Sequence, residues 1–194
     1  MDNSNAQIVL RANEYLVTRR QIPRDLVTLE SEFSRRGVSE LLYGDDQWQH
    51  HESRKGFSTT DDTLIMLVKG FTHEEGRELG KFTIKNVVAW GLRNDYFAAD
   101  EQEIYAFAKD HPKGYLTAHS KLHLQSGIIA LGSSVLPRPS KTCTGKRICW
   151  ASLQQGCEGP IFTTNSEPID GVYAYNSQFL FVRRVHFTHT PRSL

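Results

Sequence analysis

Gly127-Ile128-Ile129-Ala130-Leu131-Gly132 is short, continuously apolar, β-branched at its start and closed by glycine at both ends. A run of this kind reads as a strand buried on both faces in the middle of a sheet. Six residues are few for a helix, and two adjacent isoleucines are stiff at χ1. A histidine-rich segment, His119-Ser-Lys-Leu-His123, precedes it. The stretch Ser133 to Arg147 follows, with Ser, Thr, Lys, Arg and Gly but no acid, and reads as a loop.

Working outward, Leu64-Ile-Met-Leu-Val68 is a second buried strand, ended by Gly70. Arg147 to Leu153 reads as a third strand. From Val172 to Phe187, Tyr173, Tyr175, Phe179, Phe181, Val185 and Phe187 alternate, which predicts strand with a bend at Asn176-Ser177. Phe82, Ile84, Val88, Trp90 and Leu92 also alternate, with Asn86 breaking the series, and predict a half-buried strand or a bent pair of strands. Gln154 to Asp170 reads as turns, because Gly156, Gly159-Pro160, Asn165 and Pro168 punctuate it.

Helices are expected mainly at the start. Ser4 and Gln7 have capping-box spacing, and Ile8, Ala12, Tyr15 and Leu16 share a helical face. Pro23 suits a second first turn, Leu26, Leu29 and Phe33 make its stripe, and Gly37 suits its C-terminal cap. Ser39–Tyr43 adds one helical turn. His73–Leu79, closed by Gly80, and Asp100–Lys109, with three acids in its first turn, are further helices. The expected class is α+β: a mainly antiparallel sheet core, an N-terminal helical hairpin and one further helix packed on it. The expected organisation is a single domain over 1–194, helical through 43, a polar loop over 44–60 and a sheet-containing core from 61.

No apolar run approaches the ~20 residues that span a bilayer. The start of the chain lacks a basic segment followed by an apolar one, and three cysteines cannot close a disulfide framework. These features predict a cytoplasmic protein without a membrane partner. Net charge is +1 but unevenly spread. Residues 1–120 hold 15 basic and 19 acidic residues, or −4, and residues 121–194 hold 8 and 3, or +5. The last third is therefore the expected face for an anionic partner.

The function that follows is a non-enzymatic binding module for a phosphate-bearing ligand, either a nucleotide, single-stranded nucleic acid or a phosphorylated small molecule. Lys121, Ser133, Ser134, Arg138, Lys141, Lys146, Arg147 and Arg184 are the expected ligand-binding residues, since hydroxyls and cations beside a central strand suit phosphate. No dinucleotide fingerprint or P-loop is present; Gly132 through Lys141 lacks the second glycine before lysine.

An alternative is a small hydrolase or phosphodiesterase in which His123 and His186 act as acid and base. His186-Phe187-Thr188 resembles one half of the two-histidine phosphodiesterase pattern, but no second such unit stands in the chain. A nucleophile elbow is absent as well. A second alternative is a protein-interaction or inhibitor module with a protein partner. No cofactor and no metal are expected. Cys143, Cys149 and Cys157 are spaced by five and seven residues, too far for a zinc knuckle. His50 and His51 are neighbours that point apart on an extended chain, so they are expected to be exposed and unliganded.

Overall fold

The computed structural model describes residues 8–18, 39–41, 49–55, 57, 63–111, 127–135, 147–156, 159–168 and 177–184. These build a mixed sheet with helices on both faces. In chain order the strands are β1 (Glu14–Thr18), β2 (Ser39–Leu41), β3 (Gln49–His50), β4 (Thr63–Gly70), β5 (Phe97–Ala98), β6 (Ile128–Val135), β7 (Arg147–Gly156), β8 (Gly159–Pro168) and β9 (Gln178–Arg184). The helices are α1 (His73–Glu78), α2 (Ile84–Arg93) and α3 (Glu101–Asp110). The main sheet runs β1-β4-β9-β6-β7-β8-β2, with β3 added to β6 and β5 to β9. Its β6–β9 and β8–β2 pairings are parallel and the rest antiparallel.

Both continuously apolar runs are central strands because both of their faces are covered. On one face Leu64, Met66, Val68, Ile128, Ala130, Leu180 and Val182 pack with Ile104, Phe107 and Ala108 of α3. On the other, Leu67, Ile129, Leu131, Phe179 and Phe181 pack with Ile84, Val87 and Val88 of α2. In β9, Gln178 to Val182 are all buried, so its aromatic residues face the core.

The expected N-terminal helical hairpin is corrected: the first described element is β1, paired antiparallel with β4 from Glu14↔Leu67 to Thr18↔Thr63. Asn13 at φ 62° stops a helix just before it, in the left-handed region that asparagine tolerates. Tyr15, Val17 and Thr18 favour strand once an edge is available, so tertiary pairing overrides the helical spacing. The α3 end ties β1 down, with the Thr18 N–H donating to Asp110 at 2.7 Å and His111 contacting the Leu16 carbonyl at 2.8 Å. The second expected helix lies outside the described residues.

Four other expectations are corrected. Ser39–Leu41 is strand, not a helical turn. Residues 82–92 form α2, because Ile84, Val87, Val88 and Gly91 also satisfy the helical period and Thr83 caps the Asn86 N–H at 3.3 Å. Gly159–Pro168 is a strand, zipped to β7 from Arg147↔Pro168 to Gly156↔Gly159; Ile161-Phe-Thr-Thr are strand formers, and the prolines lie at or next to its ends. The expected polar loop contains β3 and a 3-10 turn, Glu52–Arg54, whose Arg54 is buried. The α3 assignment holds, with Asp100 as N-cap of a capping box, and so does the helix at α1, closed by Gly80 at φ 77°.

One irregularity positions the site. Ala130 pairs with Ala151 but Val135 pairs with Cys149, so five steps along β6 face two along β7. This bulge frees residues 131–134 for other partners. Ser133 and Ser134 pair with His50 and Gln49 of β3, and the Gly132 carbonyl accepts the His51 N–H at 2.8 Å. The Gly132 N–H donates to the Ala99 carbonyl at 2.7 Å, while the Ala99 N–H donates to Leu180 of β9 at 3.0 Å. A Cβ at Gly132 would overlap the Ala98 and Ala99 backbone, so only glycine allows this approach. The outcome is that β3, the bulge and the start of α3 meet at one point.

Candidate functional site

At that meeting point a polar cluster is buried under α3. Asp100 Oδ1 accepts the Glu103 N–H at 2.9 Å and Glu103 Oε2 accepts the Asp100 N–H at 2.9 Å, which completes the capping box. Arg54 forks onto Glu103, with both nitrogens at 2.8 Å, and Nη1 also donates to the Ala98 carbonyl at 2.5 Å. Its Nη2 lies 3.1 Å from Asp100 Oδ2. Ser133 Oγ accepts the Glu101 N–H at 3.0 Å. Arg54 is 5% exposed and Asp100, Glu101 and Glu103 are 0, 9 and 0% exposed, so three carboxylates share one guanidinium away from water. Burial would lower the Arg54 guanidinium, but Glu103 and Asp100 outweigh it and hold it protonated. Burial, and then the Asp100 carboxylate, push both Glu101 and Glu103 up.

The capping box and Arg54 engage Glu103 and both oxygens of Asp100, Oδ1 by the Glu103 N–H and Oδ2 by the Arg54 ion pair. Glu101 Oε2 and Arg54 Nε have no hydrogen-bond partner among the described residues, and Asp100 Oδ2 has the Arg54 ion pair but no hydrogen bond of good geometry. His50 is exposed at the lip, and one of its ring nitrogens lies with one oxygen each of Asp100 and Glu101 in a group whose atoms are within 4.8 Å of one another. This is the donor set in the described part of the chain that has the chemistry to hold a metal ion.

Two clefts open on either side of Lys55 and Leu92. The first, ≈ 670 Å³, has an apolar floor of Ile84, Val88, Ala89 and Trp150, with His51, Lys55 and Lys85 at its rim. The second, ≈ 600 Å³, is lined by Arg11, Lys55, Tyr96, Phe97, Arg183 and Arg184, with Asp95 as its one acid. Glu14 neutralises Arg183 from behind. Its carboxylate accepts Arg183 Nε at 2.6 Å and Nη2 at 2.9 Å, the Arg11 N–H at 2.6 Å and the Tyr96 hydroxyl at 2.5 Å. Burial alone would raise the Glu14 carboxyl, but these donors outweigh it and its pKa falls from 4.5 to about 2. Arg184 lies 5.5 Å over the Phe57 ring, and Arg11 lies 5.9 Å over Tyr96.

Of the residues expected from sequence, Arg184 lines the basic cleft. Ser133 is fully buried and serves the α3 N-terminus, and Ser134 is half-buried opposite Gln49. Arg147 opens β7. Lys121, His123, Arg138, Lys141, Lys146 and His186 lie outside the described residues, as do Cys143 and Cys157. The structure adds Arg11, Lys55 and Arg183 to Arg184; these come from distant stretches, and no local spacing links them. It also places His50 beside Asp100 and Glu101, fifty residues on, whereas His51 turns inward and accepts the Ser53 N–H at 3.2 Å. No helix among the described residues is long and apolar enough to cross a membrane. Comparison with protein-family models, curated proteins and solved structures found no match.

Proposed function

We propose that this protein is a binding module for a phosphate-bearing ligand, held in the basic cleft formed by Arg11, Lys55, Arg183 and Arg184. The observation that supports it most directly is the convergence of four cations on one ≈ 600 Å³ cleft that Asp95 alone lines as an acid, although Arg183 is paired with Glu14 from behind. Guanidinium forks suit phosphate oxygens, and several cations gathered on one cleft reinforce one another at an anion. The half-buried Phe97 adds aromatic surface in the same cleft. The neighbouring apolar cleft, sharing Lys55 and Leu92, offers a place for a base or another planar group beside the phosphate. A nucleotide or the end of a single strand has both parts.

The test is a tryptophan-fluorescence titration with nucleoside triphosphates and short single-stranded DNA and RNA, at low and moderate salt. Saturable binding that weakens with salt is expected, and Lys55→Glu with Arg184→Glu should weaken it about tenfold or more. Absence of binding at low salt, or equal binding by the double variant, refutes the reading.

A further inference from the structure

We infer that His50, Asp100 and Glu101 form a binding site for a single divalent transition-metal ion of the zinc type. The reading starts from what the fold leaves unexplained. An Asp at the N-cap and a Glu three residues on are ordinary helix-start chemistry, and here the capping box and Arg54 use both. Glu101 adds an acid to the first turn, where the helix dipole favours it, and its carboxylate meets the Ser133 side chain, but neither role uses both of its oxygens. Its backbone N–H is served by Ser133, yet its side chain is carried into a site where it is 9% exposed and its Oε2 meets no hydrogen-bond donor among the described residues. A buried carboxylate oxygen without a donor is costly, and here it stands beside two more carboxylates with one guanidinium between them. A cation at this point removes both costs at once.

The third donor gives the ion its identity. His50 is brought to the site by the β3–β6 pairing, in which it sits opposite Ser133 inside the bulge. Bonds of about 2.0–2.2 Å from zinc to imidazole nitrogen and carboxylate oxygen place tetrahedral ligands about 3.4 Å apart. The three donor atoms already lie within 4.8 Å of one another, and the exposed His50 ring has the freedom to close the rest. One imidazole with two carboxylates favours zinc or its first-row neighbours over calcium or magnesium, which prefer oxygen alone. Outer support is in place too: Arg54 and the Glu103 N–H hold the Asp100 carboxylate, and Ser133 fixes the Glu101 backbone. With three protein ligands and His50 at the surface, the fourth position faces solvent.

The experiment uses the full chain, stripped with chelator, titrated with Zn²⁺ by calorimetry and with Co²⁺ by visible absorption. One equivalent of Zn²⁺ is expected. His50→Ala and Glu101→Gln, each checked for wild-type circular dichroism, should bind about tenfold or more weakly. Co²⁺ should give a nitrogen–oxygen spectrum without a thiolate charge-transfer band, which separates this site from one built on the cysteines. Because His50 is exposed, its variant decides the matter even if the glutamine variant misfolds. Failure to bind Zn²⁺, undiminished binding by His50→Ala, or a thiolate band would each overturn the assignment.

Discussion

Replacing Glu14 with glutamine removes the charge on which Arg183, the Arg11 N–H and the Tyr96 hydroxyl converge. In the folded protein the Glu14 carboxyl is held at about 2 against an ordinary 4.5, which at 1.36 kcal/mol per pH unit corresponds to about 3 kcal/mol of stability. The sign follows from which state holds the proton more tightly. Unfolded Glu14 protonates first as the medium is acidified, so the contribution is complete above about pH 4.5 and is lost as the pH falls towards 2. Urea unfolding of wild type and Glu14→Gln at several pH values between 7 and 2.5 measures this. Other acids titrate in both proteins, so the difference between the two curves isolates Glu14. That difference should be near 3 kcal/mol at pH 7 and shrink steadily below pH 4.5. A difference that does not change with pH would refute the argument, since a purely steric role for the side chain leaves no proton linkage.

Arg54→Ala should cost about 3–5 kcal/mol in urea unfolding, because it strands Asp100 and Glu103 at 0% exposure without a counter-charge. Loss of less than about 1 kcal/mol would refute this reading. Ile129→Ala, at a residue 4% exposed and packed against α2, should cost about 2–5 kcal/mol by the same assay.

The strands that sequence pattern located are those for which burial alone decides. Leu64–Val68 and Ile128–Leu131 are apolar at successive positions, as a short strand covered on both faces is, and the 178–184 strand is legible from the alternation of its aromatics, though the structure buries Phe179 to Val182 alike. Where two periods fit the same residues, pattern misled. Ile84, Val88 and Leu92 serve alternation and helix alike, and the deciding feature was the Thr83 cap with Asn86 bonded back to Leu79 and Lys81 at 2.8 Å. At the N-terminal side, β1 carries helical spacing, but its conformation is set by an edge of β4 that lies fifty residues away. The candidate metal site was illegible for a similar reason. His50 was read beside His51, its neighbour in sequence, whereas its chemistry comes from the pairing that carries it to Asp100 and Glu101. Arg184 was legible because it closes an aromatic strand; Arg11 and Lys55 were not, because only the folded sheet gathers them.

The middle of this sheet is also its last described part to leave the ribosome. β9, residues 178–184, lies between β4 and β6, both translated well before it. Until it emerges, the nascent chain can form β1 with β4, and β6 with β7 and β8, as two partial sheets, each with an open central edge. Those edges present unpaired N–H and C=O groups beside apolar side chains such as Leu67 and Ile129, the combination that recruits foreign strands. Insertion of β9 then joins both halves, and Ala99 with them, in one event with large loops to close. A chain halted before Gln178 should therefore engage holdase chaperones or aggregate, and the completed protein should acquire its stability late and all together.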